Sequence, residues 1–126
     1  MTIRALVCDD DTPVRNMVRD LLEERGVEVF EAKDGQEALA VFVKEPVDLV
    51  ITDFLMPKID GLQVIRSIRL SGEKGRVPVI LMSAISKSQI LGNHPDMEPD
   101  HYVSKPFKPR KMAKVLERVL QDVAGE

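Results

Sequence analysis

Carboxylates, a hydroxyl and an amine each follow a short apolar run in this sequence of 126 residues. Three acids, Asp9–Asp11, come after the first run, and Asp53 comes after the third. Ser83 follows the fourth run and Lys105 follows the fifth. Carboxylates that lie close together raise one another's pKa unless a cation neutralises them, and Mg²⁺ does this with oxygen ligands. These residue types therefore predict a site for Mg²⁺ and a phosphoryl group.

A phosphoryl group at such a site needs hydrogen-bond donors for its oxygens and a nucleophile that can attack phosphorus. The Ser83 hydroxyl and the Lys105 ammonium are suitable donors. A carboxylate beside the metal can act as the nucleophile and form an acyl phosphate. Asp53 is favoured for this role because it stands alone after the run expected to form the central strand.

Two hydrophobic periods alternate along the chain and predict the elements that position these residues. Nearly continuous apolar runs are typical of central strands in a parallel sheet that is covered on both faces, whereas the alternation at Val27–Val29 indicates a strand near an edge. Ligands of open parallel sheets bind beyond the carboxyl ends of the strands, which is where the polar residues stand. The predicted strands are Ala5–Cys8, Val27–Phe30, Leu49–Thr52, Val79–Met82 and, more weakly, Tyr102–Ser104.

Apolar residues at helical spacing fill the intervals between these runs and predict a doubly wound α/β fold. The first helix has Thr12 as its expected N-cap, Pro13 at its first position and Gly26 just past its end. Gly92, Pro95 and Pro99 after Leu91 predict that any fourth helix is short, frayed or replaced by a loop. The other expected helix starts are Asp34 with Glu37, Asp60, and Pro109.

Composition limits the class of protein. The chain has 18 Lys and Arg against 21 Asp and Glu, a formal charge of −3, and 44% hydrophobic residues. That length and composition predict one folded domain over residues 1–126. No apolar run nears the length of a membrane span, so we expect no membrane partner. The single cysteine, Cys8, is expected to be buried, and a reducing cytoplasm is the expected location.

Four motifs in this order resemble the receiver domain of two-component response regulators. The resemblance extends from Ile3 to about Val123 and is to the stand-alone, chemotaxis-regulator-like type. It implies a flavodoxin-like fold with a five-stranded parallel sheet in the order 2-1-3-4-5. The motifs are Asp9-Asp10 after a strand, Asp53-Phe54-Leu55-Met56-Pro57 with Gly61 four residues on, Ser83-Ala84, and Tyr102-Val103-Ser104-Lys105-Pro106-Phe107.

The resemblance also implies a role for each matching residue of the acidic site. Asp53 matches the aspartate that accepts the phosphoryl group and also contributes to the metal site. Asp10 matches a direct Mg²⁺ ligand, while Asp9 usually acts through a water molecule on the metal. The backbone carbonyl of Leu55 matches the remaining protein ligand.

Three further matches concern the response to phosphorylation. Ser83 and Lys105 match the hydroxyl and the cation that hold the phosphoryl oxygens in the active form. Tyr102 matches the aromatic switch residue that turns inward when the hydroxyl moves. The Lys105-Pro106 bond resembles the cis peptide of the family, and proline is the residue that tolerates such a bond.

The function implied is a phosphorylation-dependent signalling switch that is not an enzyme beyond self-phosphotransfer and autodephosphorylation. A histidine kinase or histidine phosphotransfer protein is the expected donor, and an unidentified protein is the expected target. We expect no DNA-binding domain to follow Glu126, and the basic run from Lys105 to Arg118 is typical of a solvated helix face. Direct binding to nucleic acid is therefore not expected for a chain of this charge.

Two alternatives remain open from the residues. A small Mg²⁺-dependent phosphatase also uses an aspartyl phosphate, and its nucleophile would lie in the first acidic cluster, where Asp9 and Asp11 have the required spacing. A pseudo-receiver would act through binding alone, without phosphorylation. Leu55 and Ile85 stand where family members tune hydrolysis of the acyl phosphate, and their apolar side chains lead us to expect a long-lived phosphoryl group.

Overall fold

Five short parallel strands form the centre of the structure, a computed structural model that describes residues 2–92 and 97–125. Within these residues, five α-helices connect the strands or follow them, and a 3₁₀ helix at Gly72–Arg76, which the sequence pattern did not predict, precedes the fourth strand. The strands are β1 (Arg4–Cys8), β2 (Glu28–Ala32), β3 (Leu49–Asp53), β4 (Val79–Ser83) and β5 (His101–Ser104). The helices are α1 (Thr12–Glu23), α2 (Gly35–Lys44), α3 (Gly61–Arg69), α4 (Lys87–Leu91) and α5 (Pro109–Ala124).

The sheet has the order β2-β1-β3-β4-β5, and every pair of neighbouring strands is parallel. This confirms the predicted doubly wound α/β fold. Helices α1 and α5 pack on one face of the sheet, and α2, α3 and the short α4 pack on the other. The central strands β3 and β4 are buried along their whole length, as their continuous apolar sequences predict. The edge strand β2 is only partly buried, which confirms the interpretation of its alternating sequence.

The beginnings of the helices largely follow the expected capping residues. The Asp34 side chain accepts a hydrogen bond from the Glu37 amide, and Asp60 forms a capping box with Gln63. The expected N-cap at Thr12 is wrong by one residue. Asp11 occupies that position because its extended backbone directs its carbonyl to the Arg15 amide, and Thr12 begins the helix.

The predicted range of the second strand also needs correction. The Val27 amide donates to the Leu22 carbonyl and so completes the turn after α1 instead of joining the sheet. Pairing with β1 starts at Glu28 and continues to Ala32, which extends the strand beyond the predicted end at Phe30. The ends of the other strands differ from the prediction by one residue at most, and β3 and β4 include Asp53 and Ser83.

The fourth helix is short, as predicted. It has 5 residues, Lys87–Leu91, and its N-cap Ser86 accepts a hydrogen bond from the Gln89 amide. Gly92 follows with a positive φ of 41°, which ends the helix. Residues 93–96 of the expected irregular segment lie outside the described residues. Within the described ranges, no helix combines the length and the hydropathy that a membrane span requires.

Gly61 allows the start of α3 to approach the end of β3. A Cβ atom at this position would lie 2.6 Å from the Asp53 carbonyl oxygen and 2.9 Å from the Phe54 Cα atom. Both neighbours are backbone atoms, so neither can rotate away. The Gly61 amide also donates to the Phe54 carbonyl at 2.8 Å, which holds the loop after Asp53 against the helix.

We therefore predict that Gly61→Ala lowers the free energy of unfolding by about 2 kcal/mol, because the new methyl group displaces backbone next to Asp53. Urea unfolding followed by circular dichroism measures this change. Gly26→Ala is the control: Gly26 has a φ of +77° but no atom within 4 Å of the added Cβ. The strain of an alanine at this positive φ should by itself lower the free energy of unfolding by about 1 kcal/mol. An equal or smaller loss for Gly61→Ala would contradict the close-packing explanation.

Candidate functional site

The carboxyl ends of four neighbouring strands bring the predicted site residues together. Asp9 follows β1, Asp53 ends β3, Ser83 ends β4, and Lys105 follows β5. The strand order places these ends side by side on one edge of the sheet. Carboxylate oxygens of Asp9, Asp10 and Asp53 lie within 4.8 Å of one another. The sequence pattern thus identified residues that the tertiary structure does bring together.

Asp9 is completely buried, and its polar atoms bond to several elements. Its amide donates to the Ala32 carbonyl at the end of β2 at 3.1 Å. Its Oδ1 accepts from the Asp11 amide at 2.9 Å, and its Oδ2 accepts from Lys105 Nζ at 2.8 Å. A buried carboxylate is tolerated only where such donors replace water, so Asp9 is held in a fixed position.

Lys105 joins the two buried acids. Its Nζ lies 2.8 Å from Asp9 Oδ2 and 3.2 Å from Asp53 Oδ1, and its side chain is 18% exposed. Partial burial lowers the pKa of Lys105, but the hydrogen bond and charge of Asp9, together with Asp53, outweigh it and raise the pKa. The ammonium therefore stays charged between the two carboxylates. The peptide bond between Lys105 and Pro106 is cis, which confirms the prediction for this bond.

Asp53 differs from Asp9 in its hydrogen bonds. Its Oδ1 accepts from the Phe54 amide at 2.9 Å and faces Lys105, while Oδ2 accepts no hydrogen bond from the described residues. Burial raises the pKa of Asp53 to about 6, the negative charge of Asp9 adds to this increase, and Lys105 opposes it. The site therefore holds more negative charge than Lys105 alone neutralises.

The donor set fits a hard divalent cation. Asp9, Asp10 and Asp53 offer carboxylate oxygens, the ligands that Mg²⁺ prefers. Cys8 lies directly before them, but it is buried, and burial raises the pKa of its thiol to about 12. It stays protonated and is a poor metal ligand. The Leu55 side chain is exposed, and the role of its carbonyl stays a prediction.

Ser83 and Tyr102 connect the site to the segment after β4. Ser83 is buried, and its Oγ accepts from the Ile85 amide at 2.9 Å, which leaves the hydroxyl proton available for another acceptor. The Tyr102 hydroxyl donates to the Ile85 carbonyl and lies 3.2 Å from the Ser83 carbonyl. Tyr102 is thus directed toward this segment, not out into solvent.

Two contacts at the site could not be found in the sequence. The Phe54 amide bonds the Asp53 side chain, and Arg15 of α1 bonds the Asp9 carbonyl at 2.8 Å. Backbone groups carry no sequence signal, and an arginine on an amphipathic helix is usually a solvated residue. Only the position of Arg15 one turn after Asp11 could have drawn attention to it.

A family model described as "Response regulator receiver domain" matches residues 5–117 of the chain. Among curated proteins, the chain is 36% identical over 121 residues to "Regulatory protein VanRB" of Enterococcus faecalis, which covers 96% of the chain and 54% of that protein. It is 31% identical over 116 residues to "Phosphate regulon transcriptional regulatory protein PhoB" of Pseudomonas aeruginosa, which covers 92% of the chain and 51% of that protein. The chain spans about half the length of the curated relatives it matches.

Solved structures show the same similarity over nearly their whole length. The chemotaxis response regulator CheY4 of Vibrio cholerae superposes with a TM-score of 0.85 at 28% identity, covering 94% of this chain and 99% of that one. The receiver domain of the Francisella response regulator 1452 superposes with a TM-score of 0.82 at 26% identity, covering 96% and 98%. These matches agree with the sheet order and the predicted fold.

The raised pKa of Asp53 predicts that Asp53→Asn stabilises the metal-free protein at pH 7. The folded state binds the Asp53 proton more tightly than the unfolded state does, because its pKa rises from 3.8 to about 6. This group's contribution is therefore favourable at low pH and is lost as the pH rises through 6. We expect the substitution to raise the free energy of unfolding by about 3 kcal/mol at pH 7 and to change little below pH 4.

Urea unfolding with a chelator present, from pH 4 to pH 8, measures this difference. Asp122→Asn is the matched control, since it removes one negative charge from an exposed position on α5. It should change stability by less than about 0.5 kcal/mol at every pH. A loss of stability in Asp53→Asn at pH 7 would show that pairing with Lys105 outweighs the burial of the charge.

Proposed function

The chain belongs to the response regulator receiver domain family, and on that premise we propose that Asp53 accepts a phosphoryl group from a histidine kinase or a histidine phosphotransfer protein. The observation that carries the proposal is the arrangement around this carboxylate. One of its oxygens is fixed by the Phe54 amide and Lys105, and the other accepts no hydrogen bond from the described residues. An oriented carboxylate with an unengaged oxygen is suited to nucleophilic attack.

In the proposed step, an Asp53 oxygen forms a bond to phosphorus while the bond between phosphorus and the donor's imidazole nitrogen breaks. The electron pair of the broken bond stays on the imidazole, which takes a proton from solvent. Asp53 must be ionised to attack, and a pKa of about 6 leaves most of it ionised at neutral pH. The product is an acyl phosphate on Asp53, which later hydrolyses to restore the carboxylate.

Lys105 and Ser83 are the proposed ligands for the phosphoryl oxygens. Lys105 Nζ already lies 3.2 Å from Asp53 Oδ1, so a small movement would bring it to an oxygen of the attached group. The Ser83 hydroxyl accepts from the Ile85 amide and still has a proton to donate. Charge-assisted hydrogen bonds of these two kinds are the strong ones in phosphate binding.

We propose that the acidic cluster binds Mg²⁺, with Asp10 and Asp53 as direct ligands and Asp9 as an indirect one. Both oxygens of Asp9 already accept hydrogen bonds, whereas the exposed Asp10 side chain has no hydrogen-bond partner among the described residues. When bound, Mg²⁺ supplies positive charge that offsets the carboxylates and the incoming phosphoryl oxygens. The carbonyl of Leu55 is the remaining proposed protein ligand.

Phosphorylation is proposed to change the affinity of the domain for a partner protein. A phosphoryl group favours whichever conformation lets Ser83 and Lys105 reach its oxygens, so it shifts a population between conformations. Tyr102 is the proposed readout, because it bonds the carbonyls of the segment that carries Ser83. The transcriptional roles in the relatives' names belong to proteins about twice as long as this chain. For this chain we propose only phosphorylation and the resulting change in affinity for a partner protein.

The geometry favours this function over a phosphatase that uses the first acidic cluster. In such an enzyme Asp9 would be the nucleophile, but it is completely buried and both of its oxygens accept hydrogen bonds. It would have to lose the bond from Lys105 or from the Asp11 amide before it could attack. A pseudo-receiver is less favoured because every residue proposed to act on the phosphoryl group lies at the site.

Phosphorylation can be tested by intact mass after incubation with a small acyl-phosphate donor, with and without Mg²⁺. We expect one phosphoryl group to be added in a Mg²⁺-dependent manner to the wild type and none to Asp53→Asn, which lacks the nucleophile. Asp122→Asn is the matched control and should be phosphorylated like the wild type. Free phosphate released by turnover without an adduct would favour the phosphatase, and neither adduct nor turnover would favour the pseudo-receiver.

The lifetime of the acyl phosphate gives a separate prediction. Leu55 is exposed and Ile85 is partly buried, and neither side chain can orient a water molecule toward phosphorus. Replacing both by asparagine should shorten the lifetime by about tenfold, because a polar side chain there can position water. The loss of the mass adduct over time measures this rate. Val43→Asn, at an apolar position of α2 that is 76% exposed, should leave it unchanged. An unchanged lifetime in the double variant would contradict the idea.

A further inference from the structure

Arg15 connects α1, the edge strand β2 and the backbone of the acidic site. Its Nη1 donates to the Asp9 carbonyl at 2.8 Å, and its Nε donates to Glu31 Oε1 at 3.1 Å. The side chain is 17% exposed, although it lies on the face of the helix that the sequence pattern indicates is solvated. Because the planar guanidinium group donates to both partners, it fixes the position of the Asp9 carbonyl relative to the Glu31 carboxylate.

The bond to Asp9 lies where the chain leaves the sheet. The pairing of β1 with both neighbouring strands ends at Cys8. Beyond this point the Asp9 amide still donates to the Ala32 carbonyl, and the Asp9 carbonyl accepts from Arg15. Arg15 therefore supplies a hydrogen bond that the sheet no longer provides.

This bond also orients Asp10. The Asp9 carbonyl belongs to the peptide group that joins Asp9 to Asp10, so holding that oxygen fixes the plane from which the Asp10 side chain extends. The exposed Asp10 carboxylate accepts no hydrogen bond from the described residues. Its direction toward Asp53 therefore depends on the backbone, which the Asp9 side chain holds locally through the Asp11 amide and Arg15 holds from α1.

Glu31 in turn holds Arg15. Its Oε1 accepts from Arg15 Nε, and its Oε2 lies 3.4 Å from Arg19 Nη1. Arg19 pairs with the same carboxylate, but its other partners are Asn16, Asp20 and Glu23, all on α1. Arg19 thus shares the charge, the helix and the Glu31 contact of Arg15 without reaching Asp9.

We propose that Arg15 is a positioning residue for the metal site, and that Glu31 orients Arg15. Arg15 fixes the peptide between Asp9 and Asp10, and so sets the separation between these carboxylates and Asp53. The inference rests on the proposed binding of Mg²⁺ and the phosphoryl group at Asp53. Residues that hold metal ligands in place typically change metal affinity by tenfold or more when they are lost.

The test compares Arg15→Met with Arg19→Met. Methionine keeps the apolar length of the side chain and the helix propensity but donates no hydrogen bond. The Mg²⁺ dissociation constant is obtained from the increase in unfolding midpoint with added MgCl₂, and the stability of the metal-free protein is measured separately. We expect Arg15→Met to raise the dissociation constant about tenfold. Arg19→Met should change it by less than about twofold, since Arg19 does not contact the site backbone.

Phosphorylation gives a second readout that a structural role would not produce. The adduct formed by Arg15→Met with a small acyl-phosphate donor should fall at low Mg²⁺ and return to the wild-type level at saturating Mg²⁺. Arg15→Lys should restore part of the Mg²⁺ affinity, because an ammonium can donate to the Asp9 carbonyl without the fork to Glu31. Glu31→Gln should weaken Mg²⁺ binding less than Arg15→Met does. The double variant should bind Mg²⁺ no more weakly than Arg15→Met alone.

Equal dissociation constants for Arg15→Met and Arg19→Met would overturn the inference. So would a loss of metal-free stability in Arg15→Met with an unchanged response to Mg²⁺, which is what a purely structural residue produces. If Arg15→Met does not fold, Glu31→Gln and Arg15→Lys carry the same test. A wild type that neither binds Mg²⁺ nor gains a phosphoryl group would overturn the proposed function and this inference together, so the two failures can be distinguished.

Discussion

The structure depends on one electrostatic constraint, the burial of two carboxylates beside a single ammonium group. Asp9 and Asp53 are 0% and 7% exposed, and Lys105 Nζ lies within 3.2 Å of an oxygen of each. Burial raises the pKa of Asp53 to about 6, and the negative charge of Asp9 adds to this increase because one ammonium does not neutralise two carboxylates. Burying uncompensated charge destabilises a fold, and the same excess charge attracts a cation. A bound cation would offset the destabilising charge of the buried carboxylates, and this is the physical basis of the proposed metal site.

The remainder of the fold makes this arrangement possible by holding Asp9 from several directions. Its amide bonds β2, its carbonyl bonds Arg15 of α1, and its side chain bonds the Asp11 amide and Lys105 after β5. Three of these partners, Ala32, Arg15 and Lys105, lie on β2, on α1 and after β5, so the site exists only when these elements have docked. The close approach at Gly61 similarly brings the loop after Asp53 against α3. The site is thus a product of the whole sheet edge.

The same geometry provides a route from the site to the surface. Ser83 and Tyr102 both contact the segment after β4, and Ile85 bonds each of them through its backbone. Movement of the Ser83 hydroxyl would therefore act on the same segment to which Tyr102 bonds, as the proposed switch requires. The short α4 that follows, with its end at Gly92, leaves few helical hydrogen bonds to oppose movement of this segment. Transmission of this kind is what the proposed switch requires.

The sequence by itself determined the fold class, the strand order implied by resemblance and the residues at the site. Short continuous apolar runs bounded by polar segments favour covered strands, and polar residues that end parallel strands lie along one edge of the sheet. Local pattern was wrong by one residue at Thr12, where the extended backbone of Asp11 makes Asp11 the N-cap, and at the start of β2, where the Val27 amide completes the turn after α1. Arg15 and Arg19 look alike in sequence, since both are arginines one turn apart on α1. Only the tertiary structure decided that Arg15 bonds the Asp9 carbonyl, because a backbone oxygen acquires its partner when separate elements pack together.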